Sequence, residues 1–203
     1  MSGSVGSDSV GSPSPALLGV VLAGGAGRRL GGDKAAVLLG GRPLAAWVAA
    51  ALGAVSDEVV IVAKPASVVP ELPGVAVWRE PPEPVHPLAG VAWALSHAGG
   101  RDVFVAPVDL PFCASVVGAL AARAAGPAAD APVVVAEGQP LLGIYRASFV
   151  AVLRAAVEAG RPVRATVEGT GSVHVWVGDR ERALFNINTP EDLARAEAMV
   201  AGG

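Results

Sequence analysis

Three stretches of this chain hold side chains that could do chemistry together. From Leu22 to Lys34, glycines at 24, 25, 27, 31 and 32 are interleaved with Arg28, Arg29 and Lys34. Glycines let a backbone approach a ligand and leave N–H groups free, and the cations favour an anion. The stretch therefore reads as a phosphate cradle, or else as a glycine turn with solvated basic residues. It matches neither of two familiar phosphate loops. The pattern G-x-G-x-x-G needs glycine where Leu30 stands, and a Walker loop needs lysine directly after Gly32, where Asp33 intervenes and Ala35 follows Lys34. Asp109, in VFVAPVDLPF, is a carboxylate at the end of an apolar run. It suits Mg²⁺, which takes one or two carboxylates plus phosphate oxygens, and it equally suits a turn before Pro111. Asn186 and Asn188 alternate in FNINTP. An extended backbone would aim both the same way, toward a metal, a ribose or a phosphate, whereas an Asx turn would spend them on the Thr189 cap.

Other reactive residue types form no pattern. His86, His97 and His174 are scattered without metal-ligand spacing, so no zinc site is expected; His86, in the proline loop, could face a substrate but reads more readily as a solvated loop histidine. Cys113 has no triad partners around it and reads as a structural cysteine at a helix start. No G-x-S-x-G supports a serine nucleophile.

Positioning the three stretches requires alternating strands and helices, and the hydropathy supplies them. Aliphatic runs at 17–22, 58–63, 75–78 and 102–108 read as buried parallel strands. Further strands are expected at 132–136, 141–145 and 173–177. Pro43 can open a helix in which Leu44, Trp47, Val48, Ala51, Leu52 and Val55 share one face. Helices are also expected at 91–98, 114–125 and 148–159, with four prolines between Glu80 and Gly90 imposing a long surface loop. Thr189 caps a closing helix whose first residue is Pro190, with Glu191 and Asp192 at the positive end of its dipole. This alternation predicts a single-domain, three-layer α/β/α sandwich with a mostly parallel sheet, spanning residues 16–203 behind a disordered tail, 1–15. Ligands of such sheets gather at the carboxyl ends of strands, where the glycine stretch and Asp109 both fall.

Composition excludes several classes. Of 203 residues, 52% are hydrophobic and 16% charged, as a packed domain requires. A net charge of −3 offers no basic excess for nucleic acid. Cys113 is the only cysteine, so no internal disulfide is possible and a reducing cytoplasm is the expected compartment. Neither a leader nor a membrane span is expected.

LAGGAGRRLGGDKA (Leu22 to Ala35) resembles the signature of nucleotidyltransferases that use nucleoside triphosphates, in the form typical of molybdenum cofactor guanylyltransferases. HPLAG (His86 to Gly90), APVDLPF (Ala106 to Phe112) and FNINTPEDL (Phe185 to Leu193) resemble that family's further motifs, in order. The resemblance implies a Rossmann-like nucleotidyltransferase fold and transfer of GMP from GTP to the terminal phosphate of molybdopterin bearing molybdenum. It implies that Leu22, Ala23, Gly24 and Gly25 hold the nucleotide through backbone groups. Arg29, Lys34 and Asp109 would carry catalysis, Lys34 by neutralising the triphosphate and Asp109 by binding Mg²⁺. Glu80 falls near an acidic residue that contacts the nucleotide in the family, and Asn186 and Asn188 would line the acceptor or metal side. The implied partners are GTP, the molybdopterin acceptor and molybdoenzymes or their chaperones, for a monomer or weak oligomer. Leu30 stands in a methionine place and His86 in a glycine place. VVIVAKP lacks the asparagine with which some members contact the base, so the contact at Val62 or Lys64 must differ. Two rival readings are a molybdopterin cytidylyltransferase, or another small-acceptor nucleotidyltransferase, and a non-catalytic nucleotide-binding partner of molybdoenzymes.

Overall fold

β1 (Leu17–Leu22) is aliphatic apart from one glycine and takes an inner position in the sheet. It can do so because both of its faces are covered: Leu18 and Val20 point to one apolar layer and Val21 to the other. The computed structural model describes residues 17–24, 33–178 and 180–202. The glycine stretch from Gly25 to Gly32, with Arg29, lies outside the described residues, as does the expected tail.

β2 (Leu38–Leu39) and β3 (Arg42–Pro43) form a small hairpin that the hydropathy pattern did not announce. Its two-residue turn is Gly40-Gly41, with φ of 57° and 74°, a conformation that glycine adopts without strain. The hairpin claims Pro43, which pairs with Leu38 and sits at the N-cap rather than in the first turn of α1 (Leu44–Gly53). β4 (Glu58–Ala63) and β5 (Ala76–Arg79) follow, then α2 (Ala89–His97), which starts two residues before its expected position.

β6 (Asp102–Pro107), α3 (Ala114–Ala125), β7 (Val133–Ala136) and β8 (Gln139–Tyr145) come next. The helix expected at 148–159 is a 3-10 turn, Ala147–Phe149, running into α4 (Val150–Glu158). α5 (Val163–Glu168), β9 (Val173–Val175), α6 (Arg180–Ala183) and α7 (Pro190–Ala201) complete the chain. Of these, α5 and α6 were not foreseen; with six and four residues they are too short for a periodic apolar face to stand out.

The seven-stranded sheet runs in the order β5-β4-β1-β6-β8-β7-β9. Its pairings are parallel except at β8, which is antiparallel to both neighbours. α1, α3 and α7 bury residues in the layer on one face, while α2, α4 and α5 bury theirs in the other. This is the three-layer sandwich expected from the sequence. Because β8 is reversed, it brings its starting end, near Leu141, to the edge where β1, β4, β5 and β6 finish.

Candidate active site

The finishing ends of β1, β4, β5 and β6 surround a cleft of about 540 Å³. Leu22, Gly24, Lys34, Lys64, Glu80, His86, Gly90, Asp109 and Leu141 are among its lining residues. The floor is set by backbone bonds across β1. Val108 donates its N–H to the Leu22 carbonyl at 3.0 Å, and Ala23 donates to the Val62 carbonyl at 2.8 Å. Ala23 is thereby buried with its N–H committed. Leu22 and Gly24 are the residues of this segment that face the cleft.

At one end, the Lys34 ammonium lies 2.9 Å from Asp109 Oδ2 and 2.5 Å from Asn188 Oδ1. These three residues come from distant parts of the chain, and backbone bonds bring them together. The Asp109 carbonyl accepts from Ile187 N at 3.0 Å, which ties the closing segment to the end of β6. One residue further on, a capping box holds α7. Thr189 Oγ1 accepts from Asp192 N at 3.1 Å, and Asp192 Oδ2 accepts from Thr189 N and Asn188 N at 3.0 and 3.1 Å. The backbone N–H of Asn188 is the main reason the Asp192 carboxyl sits below the usual carboxylate range, with Thr189 adding to it.

The two asparagines do not act as a pair. The segment is not a strand, and the Asn186 amide donates to the Leu184 carbonyl at 3.2 Å, while Asn188 alone reaches Lys34. The two amides therefore share no partner among the described residues.

At the other end, Glu80 follows β5 directly and is only 5% exposed. Lys64, which follows β4, places its ammonium 3.5 Å from Glu80 Oε2. The same ammonium donates to the carbonyls of Pro81 at 2.8 Å and Pro84 at 3.3 Å. Burial pushes the Glu80 carboxyl above its ordinary range, and the Lys64 charge offsets only part of that rise. Two glycines face this carboxylate. A Cβ on Gly24 would sit 2.7 Å from Glu80 Oε1, and one on Gly90 would sit 3.6 Å from Oε2 and 3.0 Å from Leu22 Cδ2. Only glycine at 24 leaves this corner open.

The proline-rich segment between β5 and α2 forms one wall. His86 is not the solvated loop residue expected. Its Nδ1 accepts from Leu88 N at 3.1 Å, so the proton is on Nε2, which donates to the Arg161 carbonyl at 2.9 Å. The imidazole thus ties this wall to the α4–α5 connection. Cys113 is fully buried at the start of α3, as expected, and burial pushes its thiol up to about 12, which rules out a thiolate nucleophile.

The donor set fits Mg²⁺. Asp109 and Asn188 present hard oxygens that converge on the Lys34 ammonium; a Mg²⁺ held by them would displace that ammonium toward the phosphates, with phosphates and water completing its shell. The described residues contain no group of three or more His, Cys, Asp or Glu that could hold a transition metal unaided. Nor do they contain a helix long and apolar enough to cross a membrane. Sequence reasoning missed Lys64 as the partner of Glu80 and His86 as an anchor. The one visible signal was a lysine ending the otherwise apolar run EVVIVA.

Known proteins share this sequence pattern and fold. Residues 19–173 match the family described as the MobA-like NTP transferase domain. A molybdenum cofactor guanylyltransferase of Cereibacter sphaeroides is 41% identical over 193 residues, covering 91% of this chain and 97% of that one. One of Burkholderia ambifaria is 35% identical over 90% of this chain and 96% of its own length. The crystal structure of molybdopterin-guanine dinucleotide biosynthesis protein A from Archaeoglobus fulgidus superposes with a TM-score of 0.72 at 27% identity, covering 92% of this chain and all of that one. With its parallel sheet, its strand-end cleft and these relatives spanning nearly its whole length, the chain belongs to the MobA-like NTP transferase family of nucleotidyltransferases.

Proposed function

We propose that this enzyme transfers GMP from GTP to the terminal phosphate of molybdopterin bearing molybdenum and releases pyrophosphate. The observation that carries the reading is the Lys34 ammonium held against both Asp109 and Asn188 at the strand ends. The kinship with molybdenum cofactor guanylyltransferases supports the choice of donor and acceptor.

An oxygen of the acceptor phosphate attacks the α-phosphorus of GTP. The bond from that phosphorus to the bridging oxygen breaks, and its electron pair leaves on pyrophosphate. The nucleophile is already ionised, so no general base is needed and none stands in the cleft for that purpose. What the protein must supply is position and charge neutralisation. Lys34 neutralises the triphosphate, with Arg29 of the glycine stretch as its partner in that task. Gly24 and Gly25 let the backbone approach the nucleotide beside Leu22, over the base laid by Ala23. Asp109, with the amide oxygen of Asn188, would hold Mg²⁺, which supplies Lewis-acid stabilisation of phosphoryl oxygens when bound. Asn186 would line the acceptor or metal side near Asn188.

On this reading residues 16–203 work as one domain, in a monomer or weak oligomer. The test is pyrophosphate release with Mg²⁺, the molybdenum-bearing acceptor, and GTP, CTP or ATP in parallel. Release with GTP that disappears in Asp109→Ala is the expected result. Release with CTP alone would make the enzyme a cytidylyltransferase. Binding of GTP without release would leave a nucleotide-binding partner of molybdoenzymes.

A further inference from the structure

The Lys64–Glu80 corner carries an inference about how the base is selected, and it rests on the guanylyl-transfer reading above for the identity of the nucleotide. Across the sheet, β5 and β6 are separated by β4 and β1. Three strand spacings of about 4.8 Å put the Glu80 end roughly 14 Å from the Asp109 end. A triphosphate held by Lys34 and Asp109 therefore sends its base toward Glu80. The Glu80 carboxylate there lines the cleft beside the bare backbone of Gly24 and Gly90, where a Cβ would lie 2.7 Å from Oε1 and 3.6 Å from Oε2.

The protonation state of that carboxyl decides what it can recognise. An ionised carboxylate presents two acceptors side by side. Guanine's pairing edge presents two adjacent donors, N1–H and N2–H, which match it. A neutral carboxylic acid presents one donor and one acceptor. That arrangement matches the N3 acceptor and N4–H donor of cytosine, or the N1 acceptor and N6–H donor of adenine. Burial alone favours the neutral acid, because it penalises the charged form.

We infer that Lys64 is the residue that sets nucleotide choice: its ammonium, 3.5 Å from Glu80 Oε2, keeps this buried carboxyl in its two-acceptor form and so commits the corner to guanine. Among the described residues it is the one cation within ion-pair distance of Glu80. Its two bonds to the carbonyls of Pro81 and Pro84 stop it swinging out to solvent. Lys64 thus acts as a positioning residue, through Glu80. The other charged or titratable groups that line the same cleft are Lys34, Asp109 and His86. His86 is committed on both ring nitrogens to backbone partners, and Lys34 and Asp109 are paired with each other.

The experiment is equilibrium titration of the full chain with non-hydrolysable analogues of GTP, CTP and ATP at neutral pH with Mg²⁺. Wild type, Lys64→Met, Lys64→Arg and Glu80→Gln are compared. Wild type and Lys64→Arg are expected to prefer the GTP analogue. In Lys64→Met, and in Glu80→Gln, which imitates the neutral acid at the same size, that preference falls by about tenfold or more. Part of the fall comes from tighter binding of the CTP or ATP analogue, which a merely structural role would not produce. If Lys64→Met weakens all three analogues by one common factor, the pair serves the ribose or the loop and the inference is wrong. An unchanged ratio in a folded Glu80→Gln, or a wild type without preference for the GTP analogue, would also overturn it. Preference for the GTP analogue without pyrophosphate release would keep the inference and sink the reaction assigned above.

Discussion

The cleft holds two lysine–carboxylate pairs, and they are built differently. Lys34 and Asp109 meet across 75 residues of chain, with side chains 15% and 20% exposed. Lys64 and Glu80 directly follow neighbouring parallel strands, with side chains 20% and 6% exposed, so the carboxylate is the more buried member. Among the described residues the Lys34 ammonium has side-chain partners, a carboxylate and an amide oxygen. Such a cation can exchange them for phosphate oxygens without disturbing the backbone. Lys64 is instead bonded to two main-chain carbonyls, so moving it would move the loop. The same ion pair is therefore an exchangeable contact at one end and a fixed template at the other. Burial and backbone partners make the difference.

The most severe test of this contrast is turnover. Asp109→Ala and Lys34→Met are expected to lower the rate of pyrophosphate release by about 10²–10³-fold, as loss of a preorganised charge does. Their melting temperatures should stay near that of the parent. If either variant unfolded instead, the exchangeable pair would be a structural one.

Stability provides the next test. Glu80→Ala strips the buried partner from Lys64 and is expected to cost about 1–3 kcal/mol in urea unfolding. Asp109→Ala, at the more open corner, should cost about 1 kcal/mol or less. Equal costs would erase the distinction. Gly24→Ala sharpens it from the backbone side. Its Cβ would lie 2.7 Å from Glu80 Oε1, and the resulting overpacking should cost about 1–3 kcal/mol and weaken nucleotide binding.

Smaller effects should come from the cap behind Asn188. Thr189→Ala is expected to cost about 1 kcal/mol by thermal unfolding, with a modest loss of turnover as Asn188 loses its support. The Asp192 carboxyl is lowered in the folded state, chiefly by the Asn188 N–H. Its contribution is thus present above the unfolded value, about 3.9, and fades as pH falls through the lower folded value. Asp192→Asn should melt earlier than the parent at neutral pH, and the gap should close in acid. A gap that persisted unchanged at low pH would mean that the carboxylate charge is not what holds the cap.

The long apolar runs were readable because burial on both faces leaves no polar residue in β1 and only terminal ones in β4 and β6. Asp109 and Lys34 were readable from their place beside such runs. The reversal of β8 was not, since an apolar run has no direction; the tight Glu137-Gly138 link to β7, with Gly138 at φ 79°, is what imposes it. Asn186 and Asn188 looked alike in the sequence, yet in the fold their side chains take different partners. The Lys64–Glu80 pair depends on the parallel register that sets Ala63 beside Arg79, so that the next residue of each strand can meet. That register is a property of the folded sheet and of neither segment alone.

The contact between Lys34 and Asn188 spans 154 residues, and Ile187 fastens that late segment to Asp109. During synthesis, Lys34 and Asp109 leave the ribosome well before Asn188 does. At about 5–20 residues per second the interval lasts several seconds. For that time a growing chain holds a lysine and an aspartate but lacks the amide that completes their corner. On the roles proposed for this corner, catalytic competence is a late event in the life of each molecule, acquired when the closing segment docks, and a truncated product of translation would carry most of the fold without the finished corner.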